Sequence, residues 1–133
     1  MTWTKFNAFT EDLAEGKHNL GADTLKVALT NTAPSASNTV IGDITQISSA
    51  GSYAPATMTI NASAQSGGTY TATHDAVTFT ASGAAFDEFR YAVVYNDTSA
   101  TDALIAYYDY GVGYTLADTD SFTFNAGTLL SLA

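Results

Sequence analysis

Cysteine is absent from the 133 residues, which rules out a disulfide framework and any thiolate-held metal. Basic residues are nearly as scarce: four Lys and Arg stand against 13 Asp and Glu, a net charge of −9. That balance repels a phosphate backbone and no Lys/Arg cluster offsets it, so nucleic acid is not an expected partner. No apolar run approaches the ~18 residues that cross a bilayer, so no membrane is expected either. The start, Met1-Thr2-Trp3-Thr4-Lys5, lacks the apolar core of a signal peptide, and the expectation is a soluble chain not exported by the usual signal. Charged residues make up 13%, about half the ~25% usual in soluble domains. Thr, Ser, Ala and Gly take their place. Such a surface suits a protein packed against neighbours, or a stable extracellular β-domain. The length suits a single domain, 1–133, with room for a real core.

What is present is period-two alternation. The stretch 86–111, FDEFRYAVVYNDTSATDALIAYYDYG, places Phe89, Tyr91, Val93 and Tyr95 on one face and Arg90, Ala92, Val94 and Asn96 on the other. After a polar turn at 96–102, Leu104, Ala106, Tyr108 and Tyr110 alternate with Ile105, Tyr107 and Asp109. This predicts an antiparallel hairpin with both faces at least partly covered, at the centre of a sheet. Strands are also predicted over 24–30 and 57–65, the latter alternating without exception. Gly67-Gly68 then makes a hairpin turn into 69–74. Val77 with Phe79, Phe122 with Phe124, and Leu129, Leu130 and Leu132 mark further strands, and Gly111-Val112-Gly113 breaks the chain. Residues 31–42, with Pro34, and 51–55 read as loops; the segment bracketed by Ile41, Ile44 and Ile47 fits neither pattern. One helical segment, about 5–20, carries Phe6, Phe9 and Leu13 as an apolar stripe with Glu11, Asp12 and Glu15 outward, and ends at Gly16 or runs on toward Gly21. About eight strands with turns every ten residues or so predict a mainly β fold. Its expected form is an antiparallel β-sandwich, jelly-roll-like, with one short N-terminal α-helix.

The sequence carries no nucleophile elbow, no zinc-protease motif and no phosphate loop. No catalytic, cofactor-binding or metal-binding residue is assigned, and no enzyme is expected. His18 and His74 read as surface or hydrogen-bonded imidazoles. Asp97 and Asp102 share one loop and Asp118 and Asp120 another, but neither has the ligand spacing of a calcium loop, so they read as solvated turn carboxylates. Asn96-Asp97-Thr98 matches a glycosylation acceptor and, without an export signal, reads as a turn. Arg90 is expected to pair with a carboxylate (Asp87, Glu88 or Asp109), with contact to a partner protein as the alternative. Tyr107, Tyr108, Tyr110 and Tyr114 read as core or interface ahead of a sugar-binding platform.

Four stretches together carry a resemblance: NAFTEDLAEGKHNL at 7–20, TLKVALTNTAP at 24–34, FRYAVVYND at 89–97 and DYG at 109–111. As a set the chain resembles a family of small structural proteins of tailed bacteriophages, the head decoration or cement proteins, over most of its length. The resemblance is more specific for a phage virion protein than for a position on the particle. It implies a protein made in the host cytoplasm and placed on the outer capsid surface, where it bridges major capsid protein subunits alongside further copies of itself. A tail or fibre component that binds a host glycan or receptor is the alternative. The family offers no catalytic residues to carry over. Contacts are expected from 1–9 and from loops such as 31–42, with Trp3, Phe6, Pro34 and Arg90 as candidate partner-interface residues. Packing of Trp3 on its own sheet is the competing reading.

Overall fold

The alternation that predicts a central hairpin produces one. In a computed structural model, residues 3–133 are described. In chain order the elements are β1 (Thr4–Lys5), α1 (Asn7–Ala14), β2 (Leu25–Thr30), β3 (Ala56–Met58), β4 (Ile60–Ser66), β5 (Thr69–His74), β6 (Val77–Thr80), β7 (Phe89–Asn96), β8 (Leu104–Tyr114), β9 (Ser121–Phe124) and β10 (Gly127–Leu132). The fold is mainly β, built from antiparallel sheets with one short α-helix among the described residues, and is consistent with a β-sandwich. Strand order is β1-β8-β7-β2-β3 in a five-stranded sheet, β10-β5-β4 in a three-stranded sheet and β6-β9 in a two-stranded one. That order does not reproduce the two packed sheets of an eight-stranded jelly roll.

β7 lies at the middle of the five-stranded sheet and is buried along its length except for the half-buried Arg90. Both of its faces are covered. On one side Leu25, Val27, Leu29, Phe89, Ala92 and Val94 join the main core with Val77, Phe79 and Phe124; on the other Ala28, Val93, Tyr95 and Leu104 pack with Phe6 and Ile44. Two irregularities correct the predicted faces. The register shifts between Phe89 and Tyr91 and again between Val94 and Tyr95. A bulge adds a residue to one strand and resets its parity. The second adds Ile105 to β8 and so moves Leu104 to the Val93 side, away from Ala106 and Tyr108; Phe89, beyond the first, joins Ala92 and Val94 rather than Val93. β8 also continues through Gly111-Val112-Gly113 to Tyr114, where a break is predicted; Gly111 takes a positive φ of 80° within the strand.

The unbroken alternation at 57–65 is two strands in two sheets. Met58 pairs with Leu25 in the five-stranded sheet, whereas Ile60 pairs with His74 in the three-stranded one. The chain turns the corner at Thr59 and a bulge follows between Ile60 and Ala62, the usual device for switching sheets. Met58 is buried, while every residue from Asn61 to Ser66 is exposed, so Ala62 and Ala64 do not face a core. Gly67 and Gly68, at φ 59° and 87°, close the β4–β5 hairpin with Ser66 opposite Thr69, the left-handed pair that a two-residue type I′ turn demands.

The helix is shorter than the predicted 5–20. Phe6 is its extended N-cap, and Gly16, at φ 84°, ends it. Gly16 N–H donates to Leu13 O (3.3 Å) and Lys17 N–H to Asp12 O (2.8 Å), the two bonds of a Schellman motif. Asp12 does not face outward as the stripe predicts: it is 5% exposed and paired with Lys17 Nζ at 2.8 Å. Residues 41–43, left open by the sequence pattern, form a 3-10 turn, Ile41–Asp43.

Candidate functional site

The four residues expected to meet a partner do not form one surface. Phe6 is fully buried in the smaller core, with its ring 5.2 Å from Tyr107. Trp3 is half-buried and packs on the chain's own sheets, edge-on to Tyr108 at 5.9 Å and to His74 at 6.3 Å, and tilted against Phe124 at 6.2 Å. Aromatic side chains near a chain start gain more from a core that is already present than from solvent. Within the N-terminal segment Trp3, Phe6 and Phe9 turn inward while Thr4, Lys5 and Asn7 stay exposed, and its first two residues, Met1 and Thr2, lie outside the described residues. Pro34 is half-buried in a loop tied to itself by Ser35 N–H to Asn38 Oδ1 (2.8 Å) and to the helix start by Asn7 N–H to Ala36 O (2.9 Å). The Asp43 carboxylate accepts from the N–H groups of Thr39 and Val40, and those bonds hold its pKa below the usual range.

Arg90 finds its carboxylate across the hairpin. Nε and Nη2 donate to the two oxygens of Asp109 at 2.8 and 3.1 Å, and Asp109 also accepts from Gly111 N–H at 2.7 Å. The bidentate bond raises the Arg90 pKa and lowers that of Asp109. Both side chains are well exposed, so the pair fixes geometry more than it stabilises.

The histidines are buried rather than superficial. His74 places Nδ1 2.7 Å from Asp75 O. His18 sits in a polar hub around Asn96, which is fully buried at the end of β7. Asn96 Nδ2 lies 2.7 Å from Asp23 Oδ2 and 3.0 Å from His18 Nδ1, and Oδ1 accepts from Thr98 and Ser99 N–H at 2.9 and 3.2 Å. These acceptors fix the amide orientation, because the flipped amide would set oxygen against the Asp23 carboxylate. His18 Nδ1 is thus an acceptor and its proton resides on Nε2. Burial lowers its pKa, Asp12 and Asp23 oppose that, and Lys17 reinforces it. Sequence reasoning read Asn96 as a turn residue. The signal was its parity, since it shares a face with Ala92 and Val94.

Two of the four loop acids are occupied: Asp97 pairs with Lys26 at 3.2 Å, and Asp118 accepts from Gly83 N–H at 2.8 Å. Among the described residues no cluster of three or more His, Asp or Glu converges as metal ligands would.

Besides a hollow of about 620 Å³ lined by Leu13, His18, Leu20, Tyr70 and Leu132, two surfaces stand out. The first is the three-stranded sheet. Neither 60–74 nor 125–133 contains a single Asp, Glu, Lys or Arg, although the chain carries 17 of them. β4 is the outer strand of that sheet, paired only to β5, and it contains no proline. Leu132, on β10, is 41% exposed. The second is a cleft of about 450 Å³ between β8 and the β9–β10 connection, lined by Tyr108, Tyr110, Thr123, Phe124, Asn125 and Thr128. Its rings interlock: Tyr108 meets Tyr110 edge-on at 4.5 Å, and Tyr110 stacks on Phe124 at 5.5 Å. The tyrosines stood out in sequence; their meeting with Phe122 and Phe124 is a product of topology. Compared with known proteins, the chain matches no family model, no curated sequence and no solved structure.

Proposed function

We propose that this chain is a non-enzymatic structural protein of a tailed-phage particle, binding the outer face of the assembled head and bridging neighbouring major capsid subunits alongside further copies of itself. The observation that carries the reading is the segregation of charge: an acidic protein whose three-stranded sheet is wholly uncharged and ends in an unblocked strand. Interface cores are depleted of charge, and proteins that must stay apart usually protect an edge with Lys, Pro or a covering element. From Ala62 to Ser66 the β4 backbone follows regular pairing on its inner side, so an extended segment of a neighbour can add to its outer side through main-chain hydrogen bonds. The resemblance in 7–34 and 89–111 supplies the particle; the exposed loop around Pro34 supplies a second contact. Many identical weak contacts to a lattice would add by multivalency and favour the assembled state.

The test compares particles with and without the protein, and with Ala64→Pro or Ser63→Lys, for protein location and shell rupture temperature. The reading expects the protein over the shell, a lower rupture temperature without it, and loss of shell binding in the folded edge variants. A protein found only at the tail, in a few copies, replaces this reading with that of a tail or fibre component, which the aromatic cleft would favour.

A further inference from the structure

We infer that the cleft between β8 and the β9–β10 connection is a binding site for neutral carbohydrate. A sugar ring offers an apolar face of C–H groups and a rim of hydroxyls. A site for it needs aromatic surface, adjacent side chains that both donate and accept hydrogen bonds, and rigidity. All three are present. Tyr108 and Tyr110, two positions apart on β8, are half-buried and held at a fixed tilt by each other, by Trp3 and by Phe124. Edge-on packing of this kind leaves the rings little freedom to lose on binding. On the opposite wall Asn125 and Thr128 are exposed, and neither side chain forms a hydrogen bond within the described residues. An amide and a hydroxyl can each donate and accept, which matches a sugar hydroxyl's double role.

Charge selects the class of sugar. Among the described residues none that lines the cleft is ionised at neutral pH, and the chain as a whole carries −9. Sialylated, uronic or phosphorylated glycans would meet no cation there and a repulsive field beyond it. The volume of about 450 Å³ lies inside the ~300–1,000 Å³ range of small-molecule sites. Tyr114, 40% exposed and edge-on to Tyr110 at 5.9 Å, continues the apolar surface along β8, so an oligosaccharide suits the site better than a single ring.

The experiment uses the free purified protein, so it stands or falls separately from the shell reading. Neutral trisaccharides of glucose, galactose, mannose and N-acetylglucosamine, with sialyllactose as the anionic probe, are titrated to about 10 mM, a range that captures weak sites. Binding is followed by saturation-transfer NMR and by the emission of Trp3, the single tryptophan, whose ring lies 5.9 Å from Tyr108. At least one neutral trisaccharide should bind, with Tyr108→Ala and the exposed-residue variant Asn125→Ala/Thr128→Ala each weakening it about tenfold or more. The Asn125 and Thr128 side chains are exposed and form no hydrogen bond within the described residues, Thr128 pairing with Thr73 through its backbone alone, so that double variant keeps the test sound if Tyr108→Ala fails to fold. No binding by any neutral probe, a preference for sialyllactose, or binding unchanged in the Asn125/Thr128 variant overturns the assignment.

Discussion

Replacing Asn96 by alanine removes a fully buried amide that ties the end of β7 to the 17–23 connection and to its own turn. Its two amide hydrogens serve Asp23 at 2.7 Å and His18 at 3.0 Å, with Lys17 O, at 3.4 Å, a weak third claimant. Losing a bond to a charged group costs about 1.5–3 kcal/mol, and losing the bond to a buried imidazole costs about 1 kcal/mol more. The N–H groups of Thr98 and Ser99 lie at an exposed turn, where water can replace Oδ1, so they add little. The sum is a loss of about 2.5–4 kcal/mol, or roughly 9–14 °C in Tm for a domain of this size. Urea denaturation followed by tryptophan emission should show the midpoint falling with the slope unchanged. Asn96→Asp should be worse than alanine at neutral pH, because it sets a second carboxylate where the amide met Asp23. It should recover in acid, when one of the pair takes a proton. A loss below about 1 kcal/mol for alanine, or an aspartate variant as stable as the alanine one at neutral pH, would refute the hub.

Burial lowers the His18 pKa below its ordinary 6.5, so the unfolded chain takes up a proton that the native fold refuses. Stability should therefore fall as pH drops from above 6.5 towards the lowered native value, then level off; His18→Gln should flatten that part of the curve of denaturation midpoint against pH. Gly51 has φ 67°, and an added Cβ would meet Ala84 O at 2.7 Å, whereas at Gly113 it would meet only the Glu88 side chain. Gly51→Ala should cost more than about 2 kcal/mol, and Gly113→Ala clearly less, measured by thermal melts side by side. Val93, with no exposed surface, should cost about 2–3 kcal/mol as alanine; an unchanged midpoint would mean that the smaller core contributes nothing. If net charge keeps free copies apart, about 1 M salt, where the screening length is ~3 Å, should promote self-association in sedimentation, and Ser63→Lys should abolish it.

Where sequence alone sufficed, side-chain type and spacing carried the same information as the backbone. The β7–β8 hairpin and the Gly67-Gly68 turn follow from local pattern, which also narrows the helix stop to Gly16 or Gly21 and the Arg90 partner to three carboxylates. The misreadings share one cause. A bulge shifts parity without leaving a compositional mark, so Leu104 changes sides on β8 unannounced. At Thr59 the alternation runs unbroken while the strand passes from one sheet to another, because period two fixes which way a side chain points but not which sheet the backbone joins. Trp3 and Phe6 pack within the chain for a reason that sequence does not display: an aromatic residue reads alike whether it fills its own core or a neighbour's.

The same ambiguity gives the distribution of charge its weight. Hydrophobicity cannot separate an interface from an interior, but charge can, because an exposed strand is free to carry Lys or Glu and a buried interface is not. β4 is exposed from Asn61 to Ser66 and carries none. Its neighbours in that sheet are also uncharged, while acids occupy the connections elsewhere: Asp97 and Asp102 after β7, Asp118 and Asp120 before β9. An acidic remainder repels free copies of the chain over the ~8 Å reach of physiological screening, and an uncharged sheet imposes no desolvation penalty for ionised groups once a partner is seated. That combination discourages pairing between free copies and permits it against a fixed lattice, where many sites act together.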